Sequence, residues 1–131
     1  MCAWLSSTRF AITFDDLPYA READGRTDPA SEVSEARKAN KTILAALNRN
    51  HVPTTGFVVE KRVQEMGAAR GTSILQDWVK HGFDLGNHSY SHPDFNQLTI
   101  EEIERQITGG EATYVRVMGS TGKQAHYFRF P

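Results

Sequence analysis

Cysteine is almost absent: Cys2 is the only one in 131 residues. An internal disulfide and a cysteine-based zinc site are both excluded, so any metal must be held by nitrogen and oxygen donors. Neither sign of charge is in excess, with 15 Lys and Arg against 16 Asp and Glu. That balance offers no basic footprint for nucleic acid and no acidic tail. No apolar run approaches the roughly 18 residues of a membrane span. The opening MCAWLSS lacks a basic start and a sufficient apolar stretch, so it does not read as a signal peptide. There is no internal repeat and no linker. What is there, 39% hydrophobic and 24% charged residues, is the composition of a globular domain able to bury a core.

Strand-like and helix-like segments alternate. Phe10–Phe14 is a short apolar run, as expected of a strand buried on both faces. A polar loop follows from Leu17 to Thr27, and Asp28-Pro29 reads as an N-cap with proline at the first helical position. Val33, Ala36, Asn40, Ile43, Leu44 and Leu47 then recur at helical spacing, which predicts an amphipathic helix over 29–50. Thr54–Val59 is a second strand, Gly71–His81 a second helix with Trp78 facing inward, and Phe83–Gly86 a third strand. A helix starts at Thr99, where Thr99 and Glu102 form a capping box; Gly109-Gly110 weakens it, and it ends before Gly119. Ala125–Phe130 is a fourth strand. This order predicts parallel strands joined by right-handed crossovers, an α/β layer or barrel.

Three motifs fall at the C-terminal ends of these strands, the rim where parallel α/β folds assemble their sites. They are Asp15-Asp16, His88-x-x-x-His92 and Arg129. Each alone has a plainer reading: a turn-forming pair of aspartates, two surface histidines, a surface arginine. Pro93 moves His92 away from helical backbone and favours a tight loop. Three such motifs on one rim are much harder to explain as accident. A catalytic divalent ion needs about three protein ligands and an open position. Asp16, His88 and His92 supply such a set and leave Asp15 free as a base, with Arg129 to hold it in a charge-assisted pair.

With these residues in view, the chain resembles the polysaccharide deacetylases of the NodB-homology type, carbohydrate esterase family four. The resemblance rests on Thr13-Phe14-Asp15-Asp16, on His88-Ser89-Tyr90-Ser91-His92 within LGNHSYSHPD, on Arg129-Phe130-Pro131 and on Val52–Val59. It covers residues 8–131, the N-terminal part of that domain, with 1–7 as a short extension. It implies parallel β/α units forming part of a distorted (β/α) barrel, truncated after about the fourth strand. It also implies hydrolysis of N- or O-acetyl groups on glycans, with Asp15 and Arg129 catalytic and Asp16, His88 and His92 binding one divalent metal. Zinc is the first choice, and cobalt or iron(II) suit the same ligands. The expected partner is an acetylated glycan, with no nucleic acid and no membrane span. An open barrel edge would favour self-association. With a native start the chain would be cytoplasmic, although members of this family are often exported.

Two departures from the family pattern stand out. Leu17 replaces the glycine that usually follows the aspartate pair, which is expected to narrow that corner of the site and admits a small non-glycan amide as an alternative substrate. The later family motifs, which supply a leaving-group acid and further groove residues, are not in these 131 residues, so an inactive fragment or a binding module without turnover is a further alternative. The other histidines do not replace that acid. His51 and His81 sit at predicted helix C-termini, and His126 shares a strand face with Phe128 and Phe130, opposite Tyr127 and Arg129. Trp4 lies outside the matched region.

Overall fold

A computed structural model describes residues 10–20, 29–124 and 126–131. Trp4, the cap residue Asp28, most of the polar loop and Ala125 lie outside the described residues. The elements run β1 (Ile12–Leu17), α1 (Pro29–Arg49), β2 (Thr54–Val58), α2 (Glu60–Glu65), α3 (Ala68–Lys80), β3 (Asp84–Asn87), α4 (Ile100–Gly109) and α5 (Tyr114–Gly119). A single 3₁₀ turn at Phe95–Gln97 precedes α4. The three strands form one parallel sheet in the order β1-β2-β3, as the alternating β/α pattern requires.

Helices pack over this sheet, α1 and α3 with apolar positions that the sequence spacing selects and α5 with positions that it does not. Ala36, Leu44 and Leu47 from α1, Ile74, Leu75, Trp78 and Val79 from α3, and Tyr114, Val117 and Met118 from α5 are all buried with Val58 and Leu85 of the sheet. One polar position on the inner face of α1 has a specific reason. Asn40 donates to the Pro18 and Ala36 carbonyls and accepts the Trp78 indole N–H at 2.6 Å, so neither buried polar side chain is orphaned.

Four elements differ from the sequence expectation. At the edge of the sheet, β1 runs Ile12–Leu17 rather than Phe10–Phe14 and is not buried on both faces, with Phe10 88% and Ile12 47% exposed. The helix expected from Thr99 is two: α4 carries the expected capping box, then the chain turns through Gly110–Thr113 before α5. Gly110 sits so close over Asn87 and Ser89 that a Cβ there would collide with Asn87 Oδ1. The expected fourth strand is only a bridge of Phe128 to Asn87, held by Asn87 N–H donating to Tyr127 O and Arg129 N–H to Asn87 O. β3 ends at Asn87, so the ladder has no further partner residues on that side. Finally, α2 was not expected at all, since it is short and its N-cap, Val59, makes no side-chain cap bond. No helix among the described residues is long and apolar enough to cross a membrane.

Candidate metal and acyl-hydrolysis site

An unbroken strand would point Asp15 and Asp16 to opposite faces of the sheet. β1 avoids this with a bulge. Phe14 pairs with Gly56 and Leu17 with Val58, so three steps on β1 match two on β2, and the irregularity falls on the two aspartates. Asp16 takes a left-handed backbone, φ 65°. The result brings both carboxylates to one rim: Asp15 against Arg129, Asp16 against His92.

The same bulge turns Leu17 inward, where it is 5% exposed and part of the core. Its Cδ1 fills the space that a Cβ on Gly56 would need. The expectation that Leu17 narrows the site is therefore corrected. Its bulk is taken up by a glycine on the neighbouring strand, and it does not reach the rim.

The histidine loop leaves β3 directly and is fixed from three directions. His88 N–H donates to Val58 O, Tyr90 N–H to Gln106 O on α4, and the Ser89 and Tyr90 carbonyls accept from Glu60 and Lys61 N–H on α2. Asn87 Oδ1 accepts Ser89 N–H at 2.8 Å while its amide donates to Ile107 O. Ser89 Oγ in turn accepts His92 N–H at 3.0 Å. Gln106 closes the loop on Ser91. Ser89 and His92 both take positive φ, 72° and 58°. Among the described residues, three of the four non-glycine residues with positive φ, counting Asp16, lie at this rim, a concentration of costly backbone geometry of the kind found at functional sites.

The side chains converge. Asp16, His88 and His92 each offer a ligand atom, and these atoms lie within 4.8 Å of one another. His88 is 3% exposed, and its Nδ1 lies 3.0 Å from the Arg129 carbonyl. A carbonyl only accepts, so Nδ1 carries the proton and Nε2 is left with its lone pair, the arrangement that prepares a histidine for a metal. His92 Nε2 stands 3.6 Å from Asp16 Oδ1. That oxygen is buried and has no hydrogen-bond partner. A buried carboxylate oxygen without a hydrogen-bond partner, set among two imidazoles, is a donor set that could hold a divalent cation.

Beside this set, Arg129 Nη1 donates to Asp15 Oδ1 at 2.7 Å and to Thr13 Oγ1 at 2.8 Å. The guanidinium lies 4.2 Å over the Phe57 ring. One nitrogen serves both acceptors, rather than a two-pronged fork on Asp15. All five residues expected from the sequence therefore meet at one rim. Thr13, Phe57, Asn87, Gln106 and Arg62, whose Nη1 is 3.1 Å from Asp16 Oδ1, were not anticipated. Ser89 and Ser91 carry a signal, as hydroxyls enclosed between the two histidines. His51 and His81 stand just before β2 and β3, at the opposite strand ends. His81 Nδ1 lies 2.7 Å from Asp77 O at the end of α3, and His126 is exposed.

The chain is similar to known proteins over most of its length. The family model described as polysaccharide deacetylase matches residues 5–131. The chain is 29% identical over 121 residues to a bifunctional xylanase/deacetylase of Pseudobutyrivibrio xylanivorans, covering 92% of this chain and 16% of that protein. It is 28% identical over 123 residues to a chitin deacetylase of Pestalotiopsis sp, covering 93% and 33%. Among solved structures, a family 4 carbohydrate esterase from Bacillus anthracis superposes with a TM-score of 0.64 at 26% identity, over 92% of this chain and 47% of the other. The chain thus spans about half the length of that structure and less of the curated relatives.

Proposed function

This chain belongs to the polysaccharide deacetylase family, and on that footing we propose that it takes part in removing acetyl groups from N- or O-acetylated glycans by metal-assisted hydrolysis. Relatives named as deacetylases of peptidoglycan and chitin support acetylated glycan as the substrate class. The observation that carries the reading is the convergence of Asp16, His88 and His92 within 4.8 Å, next to an Asp15–Arg129 pair at 2.7 Å.

Asp16, His88 and His92 would hold one divalent ion, with zinc the first choice and cobalt or iron(II) compatible with the same donors. Bound there, such an ion supplies Lewis-acid activation of an acyl carbonyl and of water. Asp15 is the base that takes the proton of the attacking water. Its Oδ1 is engaged by Arg129, which leaves Oδ2 as the accepting atom. Arg129 aims that carboxylate, braced by Thr13 and the Phe57 ring. Among the described residues no third imidazole shares this rim, so the proton for the departing amine or alkoxide comes from a group other than His51, His81 or His126. Leu17 lies in the core and so gives no reason to prefer a small non-glycan amide.

The test is acetate release from N-acetylglucosamine oligomers with zinc present. Asp15→Asn should lower the rate by about 10²–10⁴-fold while metal content stays the same. An unchanged rate, or loss of the metal, would overturn the role given to Asp15.

A further inference from the structure

Among the described residues, Arg62 is the one cation placed directly against a proposed metal ligand. It comes from α2, which begins where β2 ends, and it is 26% exposed. Its Nη1 donates to the Asp16 main-chain carbonyl at 3.3 Å and lies 3.1 Å from Asp16 Oδ1. Yet Oδ1 has no hydrogen-bond partner. The N–H is therefore aimed at the carbonyl, and toward the carboxylate oxygen the guanidinium contributes charge without a directed bond. His92 Nε2 faces the same oxygen from 3.6 Å.

We propose that Arg62 is a built-in competitor of the metal, a fixed positive charge that balances Asp16 when the site lacks its ion and weakens the ion's hold once it arrives. The inference rests on the metal reading above. A ligating carboxylate oxygen stands about 2.0–2.2 Å from its ion, so the guanidinium and a divalent cation would share one carboxylate at close quarters. Like charges sharing one ligand repel, and the ion is the partner that can leave. Most outer groups around metal ligands accept hydrogen bonds and raise ligand basicity; a guanidinium does the reverse.

The experiment is chelator-competition titration of zinc into the full chain, its Arg62→Gln, Arg62→Met and Arg62→Lys variants, and His92→Ala. Removing the charge should tighten binding about tenfold, the low end of the effects of outer-shell changes on metal affinity. Arg62→Lys, which keeps the charge, should stay near the parent. Thermal denaturation gives an independent readout. The neutral variants should be less stable without zinc and gain more from it than the parent does. If zinc binds the parent and is lost in His92→Ala, while both neutral variants bind as the parent does or more weakly, the Arg62 inference fails and the metal reading stands. If the parent binds no zinc, both fail.

Discussion

At the scale of single residues, the site depends on which atom each side chain has already committed. His88 uses Nδ1 on the Arg129 carbonyl, and Asp15 uses Oδ1 on the Arg129 guanidinium. Arg129 thus serves two neighbours through different parts of itself. The bond to His88 comes from its backbone and survives any substitution; the bond to Asp15 comes from its side chain and does not. Arg129→Ala should therefore retain the metal and lose about 10²-fold in kcat, the scale of misplacing a catalytic group. Arg129→Lys should fall close to Arg129→Ala, because an ammonium has no planar face to lie on Phe57 and no rigid geometry for holding Thr13 and Asp15 together. Metal analysis beside steady-state kinetics checks both. A lysine variant with parental kcat would show that charge alone suffices.

At the scale of elements, α4 and the histidine loop act as one unit, because Gly110, which caps the end of α4, lies directly over Asn87 and Ser89. Gly110→Ala should cost about 1–3 kcal/mol of stability through overpacking and weaken zinc binding, since the displaced Asn87 amide would no longer set the loop. Thr99→Ala removes the cap at the start of the same helix. It should cost about 1 kcal/mol and leave zinc affinity unchanged. Denaturant unfolding with zinc titration separates the two; equal effects on zinc would break the link between Gly110 and the site. Much of this architecture was legible in the sequence. Apolar spacing marked α1 and α3, and Thr99 with Glu102 marked the start of α4. The bulge at Asp15-Asp16 was not legible, because no glycine or proline falls within Phe14–Leu17 and the left-handed residue is an aspartate. Nor was α2, whose first residue, Glu60, reads as a surface charge but is 1% exposed. Glu60 receives hydrogen bonds from Thr113 N–H and Oγ1, 53 residues away. Such long-range satisfaction leaves no local pattern. Arg62 escaped for the same reason, since its partner Asp16 is 46 residues distant.

At the scale of the whole molecule, three strand ends and two helices are arranged so that five residues, spread from Asp15 to Arg129, face one another. The sheet supplies the parallel direction that puts every motif on the same rim, and the core beneath it, centred on the fully buried Trp78, fixes that rim. On the reading proposed above, Asp16, His88 and His92 make this rim a metal site. The direct measurement is zinc stoichiometry, by elemental analysis after gel filtration, for the parent chain, His92→Ala and His51→Ala. One zinc per chain is expected in the parent and in His51→Ala, and none in His92→Ala. Equal loss from both variants, or full retention in both, would contradict the account.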